Sequence, residues 1–208
     1  MPTEIHCWRK SRKDRRCGNS LIASLLRAFS LVVAPDQLEG PHPMTLSMYQ
    51  ASVPVFVKSL TALSSVLDKA VAHASARKIE PTVLTHMRLY PDMFPMFRQV
   101  RAATDHATGA AGRLAGVELP KLPDGESLDE LKLRVTKAVE FLNSLTAAQI
   151  EGSEEKEITL QLGQRSASFK GQAYLLQFAI PNFFFHYTTG YNILRHAGVE
   201  IGKRDFMG

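Results

Sequence analysis

The sequence predicts that residues 44–208 form a compact four-helix bundle, mainly α-helical, with a short β-hairpin between helices three and four. Three observations lead there. Apolar residues recur at steps of three and four along four long stretches, one segment near residue 160 alternates with a period of two, and proline, glycine and capping residues mark the boundaries.

The chain has 208 residues, of which 45% are hydrophobic and 22% charged, so it can bury a sizeable core without disulfides or structural metal. The net charge of +5 is unevenly placed. Residues 1–43 hold seven Lys/Arg against four Asp/Glu, and residues 44–208 hold eighteen against sixteen. A body this nearly balanced argues against a nucleic-acid partner. Cys7 and Cys17 both precede residue 44, which denies the body a thiolate nucleophile, a disulfide and a Cys-ligated zinc.

Residues 1–43 form a separate segment. A basic run from Arg9 to Arg16 precedes an apolar stretch from Leu21 to Ala34 that is interrupted by Arg27. Three readings stand: a disordered leader or start-site extension with the natural start at Met44 or Met48, an export or membrane-surface signal, and a functional basic arm. Arg27 and Pro35 argue against a signal peptide, and fourteen residues are too few to span a bilayer. Gly40-Pro41-His42-Pro43 breaks any structure entering the body. The body is expected to be cytoplasmic, with no membrane partner.

Helix one carries its stripe on Val53, Phe56, Leu60, Leu63, Leu67, Val71 and Ala74, with Pro54 in the first turn, where proline is tolerated. Glu80-Pro81-Thr82 opens a short helical piece. Asp92 is the expected N-cap of helix two, whose stripe runs Met96, Phe97, Val100, Ala103, Ala107, Ala111 and Leu114. Its alanines, with Gly109 and Gly112, leave room for a close neighbour, and Gly116 ends it. Ser127 to Glu130 is a capping box that opens helix three on Leu128, Leu131, Val135, Val139, Leu142 and Leu145. The hairpin follows: Glu157–Leu162 alternates, Gly163-Gln164 turns, and Ser166–Phe169 alternates again. Gly171 to His196 is the last helix, stopped by Gly198, with an expected kink at Pro181 that frees the carbonyl of Gln177.

On an ideal last helix Leu175, Phe178, Asn182, His186, Thr189 and Ile193 share one sector, so the polar line Asn182, His186, Thr189 is expected to face inward. His106, at the margin of the helix-two stripe, is the imidazole best placed to meet it. Two readings follow. One is a cavity at the bundle centre, lined by Phe178 and Thr189, that holds a small molecule or a metal. The other is a satisfied polar network, with His186 bonded to a carbonyl freed by Pro181 and Asn182 completing it. His73 and His196 are read as surface or helix-end residues. No HExxH, phosphate loop or GxSxG elbow is present.

MYQASVPVF at 48–56, RLYPDMFPMFRQV at 88–100, DHA at 105–107 and IPNFFFHYTTGYNILRHAGVEIGKRDF at 180–206 resemble an uncharacterised bacterial family, domain of unknown function nineteen-ninety-three, placed near the DinB/YfiT-like bundles. The resemblance covers essentially 44–208. It implies an all-α, DinB-like four-helix bundle, commonly a homodimer. Many DinB relatives hold a divalent metal, here zinc or nickel, through one histidine on helix two and an HxxxH pair on the last helix. His106 is similar in position to the first and His186 to the second member of the pair, while Asn182 stands at the first member. Asparagine is a weak neutral ligand. The reading that follows is a small-ligand-binding or structural dimer without a firm catalytic metal site. Its alternative is a metal-dependent transferase or hydrolase of the DinB/YfiT type, ligated by His106, His186 and Asn182.

Overall fold

The computed structural model describes residues 46–208, apart from the side chain of Leu162. The leader expected over 1–43 lies outside the described residues. Helix α1 (Val53–Arg77) has proline in its first turn and ends on Lys78, a left-handed residue with φ 54°. A short α2 (Pro81–His86) leads through a loop to α3 (Met96–Ala115).

Asp92 does not cap α3. It is exposed in a turn closed by Met93 N–H to the Tyr90 carbonyl, and Pro95 occupies the N-cap position in extended geometry. Other bonds hold the loop: Arg88 Nη1 donates to the Met93 carbonyl at 2.7 Å, and Met96 N–H reaches back to Met87 O at 2.9 Å. The chain therefore turns helical three residues later than the local Asp92-to-Pro95 signal suggests. Gly116 closes α3 in the left-handed region at φ 73°, as expected.

Helix α4 (Leu128–Ser144) starts on the expected capping box, with Glu130 N–H donating to Ser127 Oγ and Ser127 N–H donating to Glu130 Oε2. A single turn, α5 (Ala147–Ile150), precedes the antiparallel hairpin β1 (Glu157–Leu162) and β2 (Arg165–Lys170), which pairs Ile158 with Phe169 and Leu160 with Ala167. Ile158 and Leu160 are buried and Thr159 and Gln161 exposed, so one pleat face of β1 lies on the bundle.

The chain then enters α6 (Gly171–Ala173), a π-turn (Tyr174–Ala179), α7 (Ile180–His196) and a terminal α8 (Lys203–Met207). The π-turn is the local response to Pro181. A proline inside an α-helix lacks the N–H of its turn and its ring crowds the carbonyl four residues back. Here the preceding turn widens, and Ile180 N–H bonds to Leu175 O, five residues back, before Pro181 enters the first turn of α7.

Four long helices make the bundle. Helix α4 packs between α1 and α3, α7 packs along the other side of α3, and the Phe56–Phe183 edge contact at 4.9 Å joins α1 to α7. Leu60, Leu67, Ala103, Ala107, Leu131, Leu142, Phe183 and Leu194 are fully enclosed. Each buried Leu or Phe contributes about 1.5–3 kcal/mol of transfer free energy. Helix α8 lies on α1, fixed by Lys69–Asp205 at 2.7 Å and by Phe206 stacked on Tyr187 at 4.5 Å. No described helix is long and apolar enough to cross a membrane.

Candidate functional site beside the imidazole pair

Gln99, His106 and Arg113 follow at intervals of seven on α3, so they stand in line on one side of that helix. Helix α3 packs against α7, and the line meets His186 there. The His106 and His186 rings lie nearly parallel, 11° apart, with centroids at 5.5 Å. His186 Nδ1 is 2.7 Å from Gln99 Oε1. Gln99 is itself oriented, because its Nε2 donates to the Phe94 carbonyl at 3.0 Å. The amide oxygen must then accept, His186 Nδ1 must carry the proton, and Nε2 of His186 is left as a free lone pair.

Both imidazoles are neutral at pH 7. Burial, with the neighbouring His186 and Arg113 adding to it, pulls His106 down to about 4, and burial lowers His186 as well. His186 therefore bonds to a side chain on α3, and not to a carbonyl freed by Pro181 as the polar-network reading expected. Asn182 Nδ2 donates to the Phe178 carbonyl at 2.7 Å, and Thr189 Oγ1 donates to Phe185 O at 2.6 Å. The centre of the buried face of α7 runs through Phe183, Tyr187, Gly190 and Leu194. Asn182, His186 and Thr189 lie about a quarter-turn to one side, on the seam with α3, with Asn182 and His186 half-buried. An ideal helix drawn through Pro181 misses only how Leu175 and Phe178 line up with this row, because the π-turn changes the phase of everything before α7.

A cleft of about 200 Å³ opens beside His106, between α3, the π-turn and β1, and is lined by Asp105, His106, Arg113, Leu160, Tyr174 and Phe178, with Gln161. Phe178 meets the His106 ring edge to face at 6.0 Å and lies 6.0 Å from Tyr174. Arg113 Nη1 donates to Tyr174 Oη at 3.2 Å, and burial pushes the Tyr174 phenol up, so it stays protonated. Asp105 is committed to Arg134, whose Nη2 lies 2.5 Å from its carboxylate. His186 stands behind His106, away from the cleft lining, and Thr189 is not part of it. A larger groove of about 410 Å³ runs along α1 beside Lys69, His73, Arg77 and Glu200, but it contains neither paired imidazole.

Sequence reasoning passed over three residues here. Gln99 and Arg113 are long polar side chains that read as surface, and only their seven-residue spacing to His106 sets them apart. Arg134 falls between Leu131 and Val135 on the apolar stripe of α4, which was a legible signal. It is buried, and donates to Thr104 Oγ1 at 2.7 Å and to the Pro123 carbonyl at 2.5 Å, so it ties α4 to α3 and to the loop before α4.

The model for the domain of unknown function DUF1993 matches residues 48–207. The chain belongs to this family. A solved structure described as a DinB family member protein from Shewanella denitrificans is 35% identical, with a TM-score of 0.70 over 77% of this chain and 91% of that one. No curated protein matches the chain. The bundle of this DUF1993 member is thus DinB-like, with the hairpin between its third and fourth long helices.

Proposed function

We propose that this DUF1993 member is a small-ligand-binding bundle protein whose ligand occupies the cleft beside His106. One observation carries the reading: a neutral imidazole is set into the wall of a mixed polar and aromatic cleft, and is backed by a second imidazole whose tautomer Gln99 fixes. A neutral His106 can accept or donate one hydrogen bond without the cost of burying a charge. Phe178, Leu160 and the Tyr174 ring supply the apolar contact that small-molecule sites use. The test is a fragment screen on the full chain that follows the His106 imidazole signals by NMR. Fragments that shift His106 and leave His73 and His196 unmoved support the reading, and a screen in which none does so rejects it.

The second reading is a DinB-type metal centre, which the resemblance implies for His106, His186 and Asn182. Two of these residues suit it only in part. Both imidazoles are neutral and their centroids are 5.5 Å apart, but the rings are stacked, 11° from parallel, and two imidazoles on one ion can be parallel only when they are coplanar. Gln99 orients His186 as an outer partner orients a ligand. The third donor does not suit a tight site. Asn182 is neutral and has given its nitrogen to Phe178 O, and among the described residues no group of three His, Cys, Asp or Glu stands together. No transferase or hydrolase step is therefore derived through a metal. Zinc titration of the wild type and of Asn182→His, read by calorimetry and thermal shift, tests this reading. Tight uptake by Asn182→His alone means that the imidazoles are arranged for metal and residue 182 decides. No uptake by either protein ends the metal reading.

The resemblance also suggests a homodimer. Phe94 and Phe185 flank His186 with exposed rings that a second copy would cover. Sedimentation of the wild type and Phe185→Ser measures it, with loss of the dimer in the variant expected.

A further inference from the structure

The cleft contains a cation that the reading above leaves unused. Arg113, the cation of the cleft lining, forms no ion pair among the described residues. Its side chain folds back along α3 over Gly109, and a methyl group at residue 109 would collide with Nη1. The missing side chain at Gly109 leaves the space that the guanidinium occupies in this conformation. Tyr174 then fixes the direction of the group. The phenol oxygen accepts from Nη1, which leaves the phenol hydrogen, like the remaining guanidinium N–H groups, free to donate. The one carboxylate in the lining, Asp105, is held by Arg134 and does not neutralise Arg113.

We propose that Arg113 and Tyr174 form an anion-recognition fork at one end of the cleft, and that the ligand is a small carboxylate carrying a flat apolar body. The carboxylate lies on the fork, where a planar guanidinium gives paired, charge-assisted hydrogen bonds. The apolar body lies against Phe178 and Leu160, with His106 at its edge. A volume of about 200 Å³ limits that body to about one aromatic ring. This rests on the ligand-binding reading and adds the charge and size class of the ligand.

Benzoate and its neutral counterpart benzamide separate the two claims. On the full chain, benzoate is expected to shift the His106 signals in NMR and to bind about tenfold or more tightly than benzamide. In Arg113→Gln that preference is expected to vanish. Tyr174→Phe should lose part of the preference. If benzamide and benzoate bind the wild type equally, the fork is wrong and the cleft reading survives. If neither compound moves His106 at millimolar concentration, the fork falls, and the cleft reading then depends on the fragment screen alone. The wild-type comparison decides the matter even if Arg113→Gln fails to fold.

Discussion

Gln99 Oε1 receives the Nδ1 proton of His186 at 2.7 Å, and this contact sets which nitrogen of the imidazole remains free. Gln99 can do so because its own nitrogen is spent on Phe94 O, and because it is 1% exposed and shielded from competing water. The pairing spans α3 and α7 and holds the imidazoles in register.

Replacing Gln99 with leucine should cost about 1–3 kcal/mol, because it leaves the Nδ1–H of His186 and the Phe94 carbonyl without their partner. Denaturant unfolding measures the cost. Imidazole nitrogen NMR should show His186 changing from a single Nδ1–H tautomer to a mixture. An unmixed tautomer in Gln99→Leu would show that Gln99 does not set it.

His106 predicts a pH dependence. Its folded value of about 4 lies below the ordinary 6.5, so between those values the unfolded chain binds the proton more readily than the native one. Stability from this group is then fully present above about pH 6.5 and is lost as pH falls towards 4. The lowered value of His186 acts in the same direction. The denaturation midpoint should fall across that window, and it should fall less steeply in His106→Phe. A slope unchanged in the variant would show that other groups carry the effect.

Gly171 starts α6 pressed against the chain before the hairpin, and a methyl group there would run into the Ser153 carbonyl oxygen and come 3.2 Å from Leu114. Backbone cannot yield as a flexible side chain can. Gly171→Ala should therefore destabilise by about 1–3 kcal/mol, as overpacking of a tight interior does. Thermal unfolding checks this, with Gly152→Ala as the comparison, where a methyl group meets nothing but the residue holds φ 78°.

The α4 cap can be tested without touching the core. Ser127→Ala removes the acceptor of Glu130 N–H and should cost about 1 kcal/mol in urea unfolding. An unchanged midpoint would show that the box contributes nothing in solution.

The legible parts of this fold were those whose causes are local. The Ser127–Glu130 box, the Gly116 stop and the alternation of β1 are each decided within a few residues, and each stands where the sequence placed it. The meeting of His106 with the last helix was legible too, because His106 lies at the margin of a clean stripe. Asp92 was misleading because a good capping residue is useful only if the helix starts beside it, and bonds from Arg88 to Met93 and from Met96 to Met87 hold the intervening segment as a loop. Gln99 and Arg113 were hidden for a different reason: their roles depend on His186 and Tyr174, which only the folded chain brings near.

The π-turn divides the last long helix into two stretches that answer to different demands. After Pro181, the positions of Phe183, Tyr187 and Leu194 are fixed by the core. Before it, Tyr174 and Phe178 are fixed by the cleft and the hairpin. Adding or removing one residue between Tyr174 and Ala179 would swing the upstream stretch by about 100° around the helix axis and leave the downstream stretch in place. A single-codon insertion or deletion is therefore a route by which relatives of this chain can exchange the aromatic wall of the cleft without rebuilding the bundle that supports it.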